Sequence, residues 1–367
     1  MKILNVAGAR PNFMKIAPLM QEMKKHAEIA PILVHTGQHY DDKMSTLFFE
    51  ELHIPKPEID LEVGSASHAV QTAKIMMAFE PVLLQEQPDL VVVVGDVNST
   101  IGCALPAVKL RIPVAHVEAG LRSFDRTMPE EINRVLTDAI SEFLFVTEPS
   151  GEENLLREGI PPEKIYFVGN VMIDTLLANK AQADQSPILE ELQLCPQKYA
   201  LLTLHRPSNV DVQANLLGIL AALADIQTHI PIVFPVHPRT RKRIEEFGLT
   251  ARVASMRDFR LIEPLGYLDF LKLLAEAKLV LTDSGGIQEE TTILNVPCLT
   301  LRENTERPIT VQQGTNVIVG IEPQRIIAES LNILHGKLFS PKMPDLWDGK
   351  AAERIINILM EKLKIEN

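Results

Sequence analysis

The chain has 367 residues, a length that suits two cores better than one, with 46% apolar residues, 5% aromatics and a single Trp. Its formal charge of −12 and few stacking side chains exclude a nucleic-acid backbone as partner, although local cations for a small anion remain open. No run of about 18 apolar residues occurs, so no membrane span is expected.

The N-terminus runs straight into a strand, Ile3–Val6, without the apolar stretch of a secretory signal. That strand leads into Gly8-Ala9-Arg10-Pro11-Asn12-Phe13-Met14-Lys15, a turn and helix start lacking the G-x-G-x-x-G dinucleotide fingerprint. Arg10 and Lys15 place two cations where α/β folds bind ligands, beyond the carboxyl end of a strand. A capping Arg and a surface Lys would give the same pattern. A strand at Ile32–Thr36 precedes Gly37-Gln38-His39. Leu90–Val94 precedes Gly95-Asp96-Val97-Asn98-Ser99-Thr100, where Asp96 suits a ligand contact, a general base or a helix cap. Val114–Val117 then leads into the densest polar run, His116 to Arg134. Glu118 stands at the strand end, and Pro129 opens a helix with Glu130 and Glu131 in its first turn. The helix dipole favours acids there on purely structural grounds. Acids on separate strand ends can also converge, and their pKa values then separate into an acid and a base. Phe143–Val146 and Ile165–Val168 complete the first half.

In the second half the expected strands are Ala200–Leu204, Ile232–Val236, Leu261–Glu263, Leu279–Leu281, Cys298–Leu301 and Val317–Val319. Two of them end in His and Arg, at His205-Arg206 and His237-Pro238-Arg239. These histidines lack metal-ligand spacing. Leu279–Leu281 runs into Thr282-Asp283-Ser284-Gly285-Gly286-Ile287-Gln288-Glu289-Glu290. Here bare backbone N–H groups and a helix N-terminus can approach an anion, and a carboxylate one turn later can accept from hydroxyls. Arg307 follows Cys298–Leu301 as a further cation for phosphate. The cysteines, Cys103, Cys195 and Cys298, lie far apart with no C-x-x-C pair, so a disulfide framework and a zinc ribbon are excluded and a cytoplasmic chain is expected. Strands that are apolar throughout, separated by helical stretches, give an α/β fold of two doubly wound parallel-sheet domains. The boundary is expected near Gly169–Asn170.

These blocks closely resemble the non-hydrolysing UDP-N-acetylglucosamine 2-epimerases. The matching segments are Gly8–Lys15, Thr36–His39, Gly95–Thr100, His116–Arg122, Pro129–Arg134, His205–Asn209, His237–Pro238, Asp283–Glu290 and Thr305–Pro308, in the family's order. The resemblance implies two Rossmann-like domains in a GT-B arrangement, with the site in the interdomain cleft. It places residues 1–170 and the last helix, about 351–367, in one domain and 171–350 in the other. It implies a homodimer, a UDP-sugar substrate, no cofactor, and UDP-N-acetylmannosamine as product for cell-surface polysaccharide precursors. Carried over residue by residue, Arg10, His237, Ser284, Gly285, Gly286, Glu290 and Arg307 resemble UDP contacts. Lys15 is a further candidate for the same cleft. Asp96, Glu118, Glu130 and His205 match positions implicated in catalysis. Gln38 and His39 fall in the region of a second, activating UDP-sugar.

The chemistry agrees with this set. C2 of a sugar nucleotide has no adjacent carbonyl to acidify its hydrogen, and no dinucleotide fingerprint offers a hydride carrier. The remaining route expels UDP from C1 as a base takes the C2 proton, and re-addition inverts C2 through a glycal. Two alternatives share the nucleotide site: a 2-epimerase of a UDP-diacetamido-uronic acid, and a GT-B glycosyltransferase.

Overall fold

The computed structural model describes residues 1–37, 51–52, 54–336, 339 and 341–365. It divides into two compact units, Met1–Ala178 with Asp345–Asn367, and Asn179–Pro344.

The first unit is built on β1 (Lys2–Ala7), β2 (Ala30–His35), β3 (Ile59–Asp60), β4 (Leu90–Val94), β5 (Val114–Ala119), β6 (Phe143–Val146) and β7 (Ile165–Phe167). Among the described residues they form one parallel sheet in the order β3-β2-β1-β4-β5-β6-β7. β4, Leu-Val-Val-Val-Val, is buried along its whole length, as a central strand covered on both faces must be. Ile75, Phe79 and Leu83 of the helix His68–Glu86 cover one face together with Cys103, Ala104 and Ala107 of the next helix.

The second unit repeats the plan with β8 (Ala200–Thr203), β9 (Ile232–Pro235), β10 (Phe259–Ile262), β11 (Leu279–Thr282), β12 (Cys298–Thr300) and β13 (Asn316–Ile318), ordered β10-β9-β8-β11-β12-β13 and parallel throughout. Period-two alternation supplies two cores. Ala200, Leu202, Phe234 and Leu281 face one way, whereas Leu201, Val233 and Val280 face the other. Each sheet reverses its winding once, between β1 and β4 and between β8 and β11, and such switch points are where open α/β sheets bind ligands.

The sequence expectations differ from the structure in three instructive places. β3 is only two residues long and is held by pairing with β2, so no apolar run announces it. β10 begins at Phe259, whose buried ring and register opposite Ile232 outweigh its polar neighbours. β5 continues through Glu118 to Ala119, with a register shift between Val117 and Ala119.

The division of the chain falls inside the helix Val171–Ala183. Its first turns belong to the first unit because Val171, Met172, Ile173 and Leu176 are buried there and the Thr175 hydroxyl donates to the Met14 carbonyl at 2.5 Å. The terminal helix Ala351–Ile365 packs on Arg10–Met23 and buries Ile355, Ile356, Leu359 and Leu363. Asp174 caps it, accepting from the Ala351 and Ala352 N–H groups at 3.1 and 2.7 Å. Asp174→Ala strands both donors and should cost about 1 kcal/mol, visible in calorimetry as a lower unfolding midpoint. An unchanged midpoint would show the cap to be idle.

Among the described residues no helix is long and apolar enough to cross a membrane, and Cys103, Cys195 and Cys298 are free.

Candidate active site

In the first unit, the loops after β1, β4 and β5 gather the polar residues. Arg10 opens the helix Arg10–Met23 immediately after β1. Asn12 fixes this turn, accepting from the Gly8 and Ala9 N–H groups at 3.2 and 3.0 Å and donating to the Val94 carbonyl at 3.1 Å. One turn later Lys15, 7% exposed, forms an ion pair with Glu118, 5% exposed. Glu118 has φ +74, a left-handed conformation unusual for a non-glycine residue, and it occupies the irregularity in β5. Such conformations persist only where surrounding bonds over-determine them.

Gly95, at φ +66 after β4, lies directly against this pair. A Cβ there would stand 2.8 Å from the Lys15 ammonium and 3.4 Å from a Glu118 oxygen, so glycine is required twice over. Asp96 follows and forms an ion pair with Arg134. Its side chain is 30% exposed, and Asn133 donates to its carbonyl at 2.9 Å. Lys15, Glu118, Gly95 and Asp96 therefore share one end of the sheet.

The helix Pro129–Ile140 supports this end and is inverted. Its buried residues are Glu131, Asn133, Arg134, Thr137 and Asp138, whereas Ile132 and Leu136 are exposed. Glu130 is half-buried and, among the described residues, makes no ion pair or side-chain hydrogen bond. Glu131 instead turns inward and accepts from the Ser123 and Phe124 N–H groups at 2.9 Å, with Arg134 at 2.6 Å. Burial alone would raise its carboxyl; the Ser123 N–H and the Arg134 guanidinium outweigh that and hold it below the usual range.

In the second unit, the loops after β8 and β11 are tied by Asp283, which is fully buried. Its carboxylate accepts from His205 Nδ1 at 2.9 Å, the His205 N–H at 3.0 Å, the Arg206 N–H at 2.8 Å and Asn209 Nδ2 at 3.2 Å. Burial opposes the charge, but His205 and the two N–H groups keep the Asp283 pKa low. His205 Nδ1 is thus committed to Asp283, and its side chain is 40% exposed. The His237 ring lies 5.8 Å away, and its Nδ1 accepts from the Arg239 N–H at 3.2 Å to cap the helix Pro238–Glu246.

Ser284 caps the helix Gly285–Leu294 in position but makes no side-chain capping bond. The first N–H groups of that helix, beginning at Gly285 and Gly286, stand at the switch point. Arg307 lies over them. Its guanidinium packs so closely on Gly285 that a Cβ would meet Nη1 at 2.5 Å. Glu289, one turn further along the same helix, pairs with Arg307 at 2.8 Å. Glu290 is buried and accepts from the Tyr267 hydroxyl at 3.3 Å. This set offers hydrogen-bond donors, a helix N-terminus and one guanidinium, which suits a phosphate group.

The structure therefore brings Lys15, Glu118 and Asp96 together in one unit and His205, His237, Ser284–Gly286, Glu290 and Arg307 in the other. Gln38 and His39 lie outside the described residues. Asn12, Asp138, Asp283 and Glu289 support these groups in the structure, and the sequence pattern alone does not mark them. Asp283 and Glu289 stood inside a recognised block, so a buried role there was open to inference. Asp138 carried no local signal.

The profile of the UDP-N-acetylglucosamine 2-epimerase family matches residues 21–360. The UDP-N-acetylglucosamine 2-epimerase of Methanocaldococcus jannaschii is 46% identical over 364 residues, 98% of this chain and 99% of the relative. A crystal structure of the Methanocaldococcus jannaschii UDP-GlcNAc 2-epimerase in complex with UDP-GlcNAc and UDP is similar with a TM-score of 0.93, covering 98% of this chain and 100% of that one. The UDP-2,3-diacetamido-2,3-dideoxy-D-glucuronate 2-epimerase of Pseudomonas aeruginosa is 43% identical over 98% of this chain and 99% of its own length. Similarity at this level along nearly the whole chain makes this chain a member of the UDP-N-acetylglucosamine 2-epimerase family.

Proposed function

We propose that the chain is an isomerase that interconverts UDP-N-acetylglucosamine and UDP-N-acetylmannosamine by elimination and re-addition of UDP. A first-unit carboxylate, Glu118 or Asp96, takes the C2 proton as the C1–O bond breaks and its electron pair leaves on UDP, forming the C1=C2 glycal. Attack of the UDP oxygen on C1, with a proton delivered to the other face of C2, completes the inversion. The second-unit set holds UDP throughout, with Ser284–Gly286 and Arg307 at the phosphates, Glu290 at the ribose and His237 beside them; Arg10 of the first unit is a further phosphate contact, and His205 is assigned to catalysis. Glu130 is assigned to the same acid–base group.

The observation that carries this reading is Glu118, a buried carboxylate in a left-handed backbone conformation beside Lys15 and Asp96. A glycosyltransferase needs one base, for its acceptor hydroxyl, whereas inversion at C2 needs a proton taken from one face and another delivered to the other. Incubation with UDP-N-acetylglucosamine alone, followed by NMR, should yield UDP-N-acetylmannosamine. Turnover that requires an added acceptor would favour the glycosyltransferase. The Pseudomonas aeruginosa relative supports a second reading, so the UDP-diacetamido-glucuronate substrate belongs in a parallel sample; a higher kcat/KM there would reassign the sugar.

We also assign a cytoplasmic homodimer. The inverted helix turns Ile132 and Leu136 outward, 41% and 49% exposed, with Phe124 at 71%, an apolar face suited to a second copy. Sedimentation should give a dimer.

A further inference from the structure

We propose that Asp138 is a positioning residue that sets the backbone on both sides of Glu118 and, through His116, the turn before Asp96. The inference rests on the epimerase reading for what is being positioned, but its geometry stands apart from that reading.

Asp138 is 1% exposed and lies on the inward face of the inverted helix. One carboxylate oxygen meets His116 Nδ1 at 2.6 Å. The other accepts from the Gly120 N–H at 3.1 Å and pairs with Arg122 at 2.7 Å. His116 and Gly120 flank Glu118 at equal distance along the chain. One rigid carboxylate therefore pins both ends of the five-residue segment whose centre sits at φ +74. An unpinned segment would relax Glu118 toward ordinary strand geometry and swing its side chain away from Lys15.

The clamp reaches a second loop. His116 Nε2 meets the Gly95 carbonyl at 2.8 Å, so both ring nitrogens face acceptors and both donate. Gly95 is the residue against which the Lys15–Glu118 pair packs, and Asp96 comes next. Arg122 is itself held by Glu158 in a two-pronged contact at 2.8 and 2.7 Å, which fixes the guanidinium behind Asp138. Burial works against charge on Asp138, yet His116 and Arg122 hold its carboxyl below the usual range. Asp138 is therefore held as a carboxylate, an acceptor at both oxygens. Asp138 touches none of the groups assigned to the substrate and acts through backbone.

Asp138→Asn preserves shape but supplies one acceptor and one NH₂ in place of two acceptors. One flank of Glu118 must then lose its bond, or His116 must accept from the NH₂ at Nδ1 in place of donating there, and in either case the carboxylate that joined the two flanks loses its charge. Expected is a fall in kcat of roughly 10²-fold, the effect of misplacing a catalytic group by about 1 Å. KM for UDP-N-acetylglucosamine and the Kd for UDP should stay within about threefold. The crystal structure of the variant should show Glu118 or the Gly95 carbonyl displaced while the sheets superpose. An unchanged kcat with Glu118 still in place would overturn the proposal, as would equal losses in kcat and UDP affinity. If Asp138→Asn fails to fold, His116→Gln is read in the same assays, and there an unmoved Gly95 carbonyl with unchanged kcat overturns it. Wild-type protein that turns over neither candidate sugar nucleotide would sink the epimerase reading alone. The variant's crystal structure needs no substrate and still decides the positioning role.

Discussion

Glu118→Gln should lower epimerase turnover by roughly 10²–10⁴-fold, the usual contribution of a positioned acid–base group. UDP affinity, measured by calorimetry, should be nearly unchanged. The expectation comes from where the residue sits. Glu118 is buried, paired with Lys15 and held in a conformation that ordinary strands avoid. Gln keeps the length and planar end of the side chain and still accepts from the Lys15 ammonium, which offsets part of the cost of leaving that buried charge without its counter-ion. It cannot carry a proton away from carbon. The proposed UDP contacts, apart from Arg10, belong to the other unit. A change in UDP affinity as large as the change in kcat would place Glu118 in binding and not in chemistry. Lys15 provides an internal control. Lys15→Met leaves the buried carboxylate without its ammonium partner and should destabilise strongly, by about 3–5 kcal/mol for a broken buried pair. Adding Glu118→Gln to that variant should recover much of the loss in chemical denaturation.

The second large effect belongs to the glycine turn. Gly285→Ala should weaken UDP binding about 10–100-fold, the loss expected when one or two charge-assisted phosphate bonds, about 1.5–3 kcal/mol, are disturbed. The added methyl would fall 2.5 Å from Arg307 Nη1 and 3.0 Å from Cζ. Arg307 must shift to make room, and its pairing at 2.8 Å with Glu289, one turn further along the same helix, limits where it can go. Stability should move the other way or not at all. Gly285 has no positive φ, and alanine is a better helix former by about 1 kcal/mol. Weaker binding with an unchanged or higher melting temperature would be specific to the phosphate role. Weaker binding with a proportionate fall in stability would mean that the turn is only structural.

Much of the fold is legible in the sequence because central parallel strands read as apolar runs, as in Leu90–Val94 and Leu279–Leu281. The polar residues that follow such strands mark the carboxyl ends of both sheets, so Asp96, Glu118, His205 and Ser284–Gly286 could be placed there without coordinates. Edges are less legible: Ile59–Asp60 is too short to have a period. The helix Pro129–Ile140 misleads in a more informative way. Its apolar stripe, Ile132 and Leu136, faces outward, and its polar stripe faces in. Amphipathicity fixes that a helix has two faces but not which one the site claims. For the same reason Asp138 escapes notice, since its partners His116 and Arg122 lie on other elements. Pairs such as Lys15 with Glu118 and His205 with Asp283 are contacts between distant strand ends, and spacing along the chain carries no record of them.

The central claim is that C2 is deprotonated as UDP leaves and is reprotonated on its return. The direct measurement is epimerisation of UDP-N-acetylglucosamine in D₂O followed by proton NMR. UDP-N-acetylmannosamine should bear deuterium at C2, with deuterium also entering C2 of the recovered substrate as equilibrium is approached. UDP-N-acetylmannosamine that keeps its original C2 proton would contradict it.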